Sequence, residues 1–222
     1  LITLGDAVGI YMEKCADAVA AFFATVYAGG FYSVLNTELP QNRLQTTVSV
    51  LNPKVIVTSE SLLETAKEYF SERKIVTFED LAKSEPDYAK LGKIRSHKID
   101  TDPLYINFTS GSTGTPKGIV VCHRSVIDFI DHFTEIFGID NNDVIANQAP
   151  FDFDVSVKDI YSAVKTGATL VVVPRRMFSA PAELIDFICD RRVTVMIWAV
   201  SALCLISTFH ALDYRTPETI NK

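Results

Sequence analysis

Residues 104–122 read LYINFTSGSTGTPKGIVVC, which is an apolar run, a loop of glycine and hydroxyl residues, and a second apolar run. The two apolar runs, residues 104–108 and 118–122, predict β-strands on either side of the loop. Glycines in the loop allow positive φ and a close approach of the backbone to a ligand. Successive N–H groups in such a turn can bind an anion, and Lys117 adds a positive charge suited to phosphate. The loop contains no carboxylate, so the pattern predicts a cradle for a polyphosphate.

This loop differs from the P-loop of kinases and GTPases. A P-loop has its lysine directly after the second glycine and a hydroxyl residue after the lysine. Here Thr115 and Pro116 follow Gly114, and Gly118 follows Lys117. The sequence therefore disfavours a P-loop enzyme. The other interpretation of the loop is a flexible surface hairpin. The phosphate site is favoured because Pro116, Lys117 and Gly118 lead directly into the second apolar strand.

Upstream of the loop, strand patterns alternate with helix patterns. Strands are predicted at residues 7–12, 31–35, 54–58 and 74–78, and helices at residues 16–28, 41–51 and 62–70. This alternation is typical of an α/β fold, with mostly parallel sheets flanked by helices.

A polar segment over residues 79–102 has no clear period, and we interpret it as a surface connection with one short helix near Leu81. It divides the chain into two possible sub-halves, residues 1–100 and 101–222. Downstream, helices are predicted at residues 125–137, 155–164, 182–191 and 201–209, and strands at residues 168–173 and 193–197.

Composition narrows the class of protein. The 222 residues are 48% hydrophobic with a formal net charge of −6, and the charges are scattered, so no nucleic-acid partner is expected. The longest apolar stretch, residues 16–28, is too short to span a bilayer and contains Asp17, so no membrane association is expected. The cysteines are widely spaced and form no CxxC pair, which predicts reduced core thiols in a cytoplasmic protein and no zinc site. They are Cys15, Cys122, Cys189 and Cys204.

The sequence of the loop also resembles that of a known superfamily. Residues 109–118, TSGSTGTPKG, resemble the phosphate-binding signature of adenylate-forming enzymes. These include acyl-CoA synthetases, luciferases, adenylation domains of nonribosomal peptide synthetases and D-alanyl carrier protein ligases. Residues 4–10 resemble the early strand of that superfamily, and residues 27–36 resemble its KAG-x-Y-x-P-x-D element.

The resemblance implies a reaction and a set of binding residues. The reaction is attack of a carboxylate on the α-phosphorus of ATP, which gives an acyl-adenylate and pyrophosphate, with Mg²⁺ accompanying the nucleotide. Lys117 would be catalytic by stabilising the departing pyrophosphate, and no metal-ligating side chain is implied. The residues implied to hold the phosphates are Thr109, Ser110, Gly111, Ser112, Thr113, Gly114 and Lys117.

A second stretch of the sequence, residues 152–156, bears on which carboxylic acid the protein would activate. Asp152, Asp154 and Ser156 lie at the start of a predicted helix, where each could cap the helix N-terminus. For Asp152 and Ser156, capping or solvent exposure is the favoured interpretation. Residues 153–156, FDVS, resemble the F-D-x-S element of amino-acid-activating members, in which the aspartate pairs with the α-ammonium group. The resemblance thus implies that Asp154 binds the substrate and that Phe153 lines the pocket mouth, with core packing as the alternative for Phe153.

Together these resemblances imply an amino-acid-activating ligase that transfers its product to the phosphopantetheine thiol of a carrier protein. Residues 147–150 and 159–161 most resemble the D-alanyl carrier protein ligases, with peptide-synthetase adenylation domains close behind. Lys158 is near the expected pocket, where it could alter specificity or reach solvent. An acyl-CoA or aryl-CoA synthetase and a non-catalytic nucleotide-binding module are the alternatives.

Other residues are expected to be structural. Trp198 and Cys204 are predicted to be core residues, and His123 is predicted to have a structural role although it closely follows the second strand. The superfamily's later motifs for adenine and ribose, and its C-terminal domain with the adenylation lysine, are not found. Residues 1–222 are therefore expected to be a partial N-terminal AMP-binding domain that catalyses little by itself.

Overall fold

The computed structural model describes residues 1–109 and 115–222, and it confirms the predicted α/β class. Its contacts divide the chain into two compact units, Leu1–Ser125 and Val126–Lys222. This division differs from sub-halves at residues 1–100 and 101–222, because the strands that flank the glycine-rich loop hydrogen-bond into the sheet of the first unit.

The first unit is built on a six-stranded sheet with the order β4-β3-β1-β2-β5-β6. The strands are β1 (Ala7–Tyr11), β2 (Phe31–Val34), β3 (Val55–Thr58), β4 (Ile75–Thr77), β5 (Pro103–Thr109) and β6 (Lys117–Cys122). All neighbouring pairs are parallel except β5 and β6, which form an antiparallel hairpin around the loop.

Helices cover both faces of this sheet. They are α1 (Ala16–Tyr27), α2 (Gln41–Leu51), α3 (Leu63–Tyr69), α4 (Phe78–Ala82) and α5 (Tyr88–His97), with a 3₁₀ turn at Glu60–Leu62. On one face, the Phe22 ring of α1 stacks on Tyr32 of β2 at a centroid distance of 4.4 Å. On the other face, Ile56 of β3 packs in a buried cluster with Leu44 of α2 and Ala66 of α3. This is the three-layer arrangement that the alternating pattern predicts.

Helix α5 lies in the polar segment that was predicted to be a surface connection with one short helix. That prediction was wrong for residues 88–97, which form a second helix. None of its residues is buried, and its few apolar residues alternate with lysine and arginine, so the sequence gives only a weak helix pattern there. The helix is stabilised at its start by Asp87, whose side chain accepts a hydrogen bond from the Lys90 N–H at 3.0 Å.

Two glycines of the first unit provide a matched stability test. A Cβ on Gly30 would lie 2.7 Å from the Asp6 carbonyl oxygen, whereas a Cβ on Gly92, inside α5, would meet nothing within 4 Å. We expect Gly30→Ala to destabilise the fold by about 1–3 kcal/mol through overpacking. Gly92→Ala should stabilise it by about 0.5–1 kcal/mol, because alanine loses less backbone entropy in a helix. Thermal unfolding of both variants tests this, and equal shifts in Tm would contradict the close approach at Gly30.

The second unit has a smaller parallel sheet of β7 (Val144–Asn147) and β8 (Thr169–Val172). Its helices are α7 (Ser156–Thr166), α8 (Pro181–Asp190), α9 (Val200–Thr208) and α10 (Ala211–Tyr214), with a 3₁₀ turn at Arg175–Ser179. Helix α6 (His123–Phe137) begins in the first unit and continues into the second.

The strand predicted at residues 193–197 forms only an isolated bridge, between Val195 and Ile145 of β7. The Thr194 hydroxyl replaces a backbone acceptor there by accepting a hydrogen bond from the Val144 N–H at 2.9 Å. The pairing therefore does not extend into a ladder, and the prediction of a full strand was wrong.

The core of the second unit includes Trp198, as predicted. Its indole N–H donates to the Ala146 carbonyl at 2.8 Å, and its ring packs in a cluster with Leu184 and Ile188. Cys204, in contrast, is exposed, so its predicted core position was wrong. All four cysteines are free thiols. Among the helices described, none is both long enough and apolar enough to cross a membrane.

Candidate functional site

The predicted phosphate loop is closed by the β5–β6 hairpin. Thr109, the last residue of β5, is the register partner of Lys117, the first residue of β6. The Thr109 hydroxyl lies 3.5 Å from the Lys117 carbonyl oxygen, so the two ends of the loop are side by side. Five predicted phosphate ligands lie outside the described residues: Ser110, Gly111, Ser112, Thr113 and Gly114.

The described ends of the loop have the donors that a polyphosphate requires. Both Thr109 and Lys117 are exposed. Within residues 1–109 and 115–222, no carboxylate forms an ion pair with Lys117, so its charge is available to a ligand. An exposed ammonium beside a hydroxyl fits phosphate oxygens, which accept hydrogen bonds and carry negative charge. In the same described ranges, no group of three His, Cys, Asp or Glu side chains could hold a metal ion.

Asp154 and Phe153, the predicted substrate residues, lie in the turn that leads into α7, within the second unit. The Asp154 side chain is exposed and does not cap the helix, because the N-cap residue is Val155 and no side-chain hydrogen bond is formed there. The Phe153 side chain is 57% exposed, which contradicts its alternative interpretation as a core residue. The Asp154 carboxylate and the Phe153 ring are therefore both accessible to a ligand.

Ser156 holds this turn in place. It is buried rather than exposed, and as the first residue of α7 it does not cap the helix, so both favoured interpretations of Ser156 were wrong. Its hydroxyl donates to the Phe153 carbonyl oxygen at 2.7 Å, and the Val157 N–H donates to the Asp154 carbonyl oxygen at 3.0 Å. These bonds fix the backbone that presents Asp154.

A buried polar network next to the turn was not predicted. The Lys158 ammonium lies 2.5 Å from Asp159 Oδ1, and Asp159 Oδ2 accepts a hydrogen bond from Asn147 Nδ2 at 2.9 Å. All three side chains are buried. Asn147 ends β7, so the network lies at the carboxyl end of a parallel strand, the edge at which open α/β sheets usually bind ligands. Adjacent Lys and Asp residues are normally a solvated pair, so nothing in the sequence signalled their burial.

His123 begins α6, and its surroundings agree with the predicted structural role. The imidazole is half-buried, and its Nε2 lies 3.4 Å from the Lys98 ammonium. Lys98 also donates to the Val26 carbonyl oxygen at 3.2 Å. Burial lowers the pKa of His123, and the neighbouring positive charge of Lys98 lowers the pKa further.

The lowered pKa of His123 predicts a pH dependence of stability. The folded state binds this proton more weakly than the unfolded chain does, where the pKa is about 6.5. The stability contribution is therefore complete above about pH 6.5 and is lost as the pH falls toward the folded pKa. We expect the free energy of unfolding to rise less between pH 5 and 7 in His123→Gln than in the unsubstituted chain.

Urea unfolding at several pH values measures this difference, and His132→Gln is the matched control. The pKa of exposed His132 is raised by its hydrogen bond to the Asp128 carbonyl and by the Asp128 charge, so its contribution has the opposite sign. The free energy of unfolding of His132→Gln should rise more steeply with pH than that of the unsubstituted chain. An unchanged pH profile in His123→Gln would contradict the burial effect.

Comparison with known proteins gives the family of this chain and several relatives. A family model described as AMP-binding enzyme matches residues 2–217. Indigoidine synthase of Streptomyces lavendulae is 31% identical over 199 residues, which are 88% of this chain and 15% of that protein. D-alanine–D-alanyl carrier protein ligase of Bacillus cytotoxicus is 28% identical over 206 residues, which are 90% of this chain and 39% of that protein.

The fold also matches solved structures. A four-domain nonribosomal peptide synthetase in its holo form, bound to AMP and glycine, aligns with a TM-score of 0.79 at 22% identity. The alignment covers 94% of this chain and 15% of that one, so this chain spans a minor part of the relatives it matches. Because the family model matches nearly every residue, this chain belongs to the AMP-binding enzymes, a family of adenylate-forming enzymes.

Proposed function

We propose that the protein containing this chain is an ATP-dependent ligase that activates an amino acid. It would convert the carboxylate to an aminoacyl-adenylate, release pyrophosphate and pass the aminoacyl group to a carrier-protein thiol. The exposed Asp154 carboxylate, in the turn before α7, is the observation that supports this proposal, because an accessible carboxylate can pair with a substrate ammonium group. A relative named as a D-alanyl carrier protein ligase supports the same choice of substrate and acceptor.

The loop between β5 and β6 would bind the nucleotide. Lys117 would donate hydrogen bonds to phosphate oxygens and neutralise charge on the departing pyrophosphate, and Thr109 would add a hydroxyl at the loop entrance. Ser110, Gly111, Ser112, Thr113 and Gly114 would complete the cradle. Mg²⁺ would supply further charge neutralisation, held mainly by the phosphates as is usual for nucleotide sites. Such catalysis consists mostly of positioning and electrostatic stabilisation.

The turn before α7 would bind the amino acid. When a substrate carboxylate oxygen bonds to the α-phosphorus and the bond to the β-phosphate oxygen breaks, the α-ammonium group takes no part. Asp154 can therefore hold that ammonium throughout the reaction. Phe153 would line the mouth of the pocket with its exposed ring. A carboxylate at this position is a poor neighbour for a fatty acyl tail, so it favours amino acids over fatty acids.

We further propose that residues 1–222 form part of the N-terminal domain of this ligase, with the adenylation lysine in a C-terminal domain. A cytoplasmic location is supported by the four free thiols, because reduced cysteines persist in that compartment.

ATP–pyrophosphate exchange by the full-length protein tests the proposal. The panel should contain D- and L-amino acids, fatty acids and aryl acids, with AMP formation as a second readout. Exchange driven by amino acids alone is the expected result. Exchange with only fatty or aryl acids would identify an acyl-CoA or aryl-CoA synthetase instead, and no exchange with any acid would favour a non-catalytic nucleotide-binding module.

A further inference from the structure

Asp159 is a buried carboxylate that joins helix α7 to strand β7. Its Oδ2 accepts a hydrogen bond from the side-chain amide of Asn147 at 2.9 Å, and its Oδ1 accepts one from the Lys158 ammonium. The positive charge of Lys158 offsets part of the cost of burying the carboxylate. Lys158 belongs to the same helix as Asp159, whereas Asn147 ends β7, so the bond to Asn147 is the one that connects two elements.

Asn147 is fixed in the sheet by its backbone. It is buried, and its carbonyl oxygen accepts a hydrogen bond from the Val173 N–H, just after β8, at 3.1 Å. The carbonyl oxygen of the preceding residue, Ala146, accepts a hydrogen bond from the indole N–H of Trp198 at 2.8 Å. The backbone on both sides of the Asn147 side chain is therefore held, and its amide is a rigid partner for Asp159.

The bond between Asn147 and Asp159 restricts the placement of α7. The apolar residues of this helix that are buried are Val157, Ile160 and Ala163, and burial of apolar surface is non-directional. A hydrogen bond, in contrast, requires both a short donor–acceptor distance and a nearly straight donor angle. Apolar packing therefore holds α7 against its neighbours, and the hydrogen bond limits how far the helix can slide or turn relative to β7.

The turn that carries Asp154 moves with the start of α7. The Ser156 hydroxyl donates to the Phe153 carbonyl oxygen at 2.7 Å, and the Val157 N–H donates to the Asp154 carbonyl oxygen at 3.0 Å. These bonds join the turn and the first turn of the helix into one unit. Within residues 1–109 and 115–222, no hydrogen bond or ion pair holds the Asp154 carboxylate itself. Its location is therefore set by the placement of α7.

We propose that Asn147 is a positioning residue for the substrate ammonium site: its hydrogen bond to Asp159 sets the placement of α7 and thereby that of the Asp154 carboxylate. This inference rests on the proposed function, because it requires Asp154 to pair with an ammonium group. The Asn147 and Asp159 side chains are both buried, so they act through Asp154 rather than by touching the substrate. A displacement of about 1 Å at a positioning group can cost about 100-fold in rate, so loss of the bond should be measurable.

The test is a double-mutant cycle on the full-length protein, with kcat/KM for the amino acid in ATP–pyrophosphate exchange as the readout. Asn147→Leu keeps a branched side chain of similar shape, has no donor and leaves both Lys158 and Asp159 in place. It should lower kcat/KM for the amino acid about 10- to 100-fold and change the KM for ATP much less. In the Asp154→Ala background, the same substitution should lower kcat/KM by less than about threefold, because the carboxylate that Asn147 positions is already absent.

Two further variants keep the test decisive. Asn147→Ala also lacks the donor and takes the place of Asn147→Leu in the cycle if leucine does not pack at this buried position. Lys165→Met removes a half-exposed lysine near the other end of α7, which pairs with Asp131, and should leave kcat/KM unchanged. Thermal unfolding of each variant reports its folding separately, and exchange is measured at a temperature at which every variant is folded.

Two results would overturn the inference while leaving the proposed function intact. One is an unchanged kcat/KM for the amino acid in a folded variant that lacks the Asn147 donor. The other is an equal fold-loss of kcat/KM with and without Asp154, which would show that Asn147 contributes to the fold independently of that carboxylate. Absence of exchange with every amino acid would instead overturn the proposed function itself, and the inference with it.

Discussion

Lys117→Ala is expected to reduce the rate of adenylation by the full-length protein about 100- to 1,000-fold, the effect typical of removing one preorganised donor from a developing charge. Lys117 is exposed at the first position of β6, beside the end of β5, so its backbone is held by the hairpin while its ammonium is accessible to phosphate. Its loss would remove positive charge from the proposed site of pyrophosphate release. The measurement is kcat for ATP–pyrophosphate exchange at a saturating amino acid concentration.

The matched control is Lys93→Ala, which removes an exposed lysine of α5 and should leave exchange unchanged. Lys117→Arg should recover only part of the rate, because the guanidinium group differs from an ammonium in shape and hydration. Unchanged exchange in Lys117→Ala would exclude a role of this residue in binding phosphate. Thermal unfolding should be nearly unchanged, since an exposed side chain contributes little packing.

Asp154→Ala is expected to raise the KM for the amino acid about 10- to 100-fold, which corresponds to one lost hydrogen-bonded charge contact. The KM for ATP should change much less, because the β5–β6 loop is the proposed nucleotide site. Asp154 is exposed and its carboxylate does not cap α7, so its removal should not weaken the helix. Initial-rate measurements with each substrate varied in turn separate the two effects.

Asp152→Ala is the control for this experiment, since it removes a neighbouring carboxylate from the same turn. It should leave the KM for the amino acid near its original value. An equal rise of both KM values in Asp154→Ala would indicate misfolding rather than loss of the ammonium contact. Analogues of the substrate that lack the α-amino group should have similar KM values with Asp154→Ala and with the unsubstituted enzyme.

Most helices and strands could be predicted from local patterns, because amphipathic or apolar runs bounded by glycine and proline identify them. Helix α1 and strands β1 and β2 agree with their predicted ranges to within about one residue, which is the usual uncertainty of such boundaries. Helix α5 has only a weak apolar pattern, with Leu91 and Ile94 three residues apart, and it buries no residue. Residues 193–197 have a strand composition, but the Thr194 hydroxyl accepts a hydrogen bond from the Val144 N–H of β7 in place of a backbone carbonyl.

The candidate site was predictable to the extent that it consists of contiguous residues. The motif at residues 109–118 led to a phosphate loop, and its two described ends are paired in a hairpin. The motif at residues 153–156 led to Asp154 and Phe153, both of which are exposed in the turn before α7. The roles of these residues stay predictions until the substitutions are measured.

The sequence by itself determined the family signature, the α/β class and the identity of the proposed ligands, because each depends on neighbouring residues or a short period. Only the tertiary structure decided the strand order, since hydrogen bonding between distant strands leaves no local pattern. It also decided that Lys158 is buried against Asp159, with Asn147 completing the network from β7. A charged pair is solvated or buried according to what packs around it, and that packing comes from segments far apart in the chain.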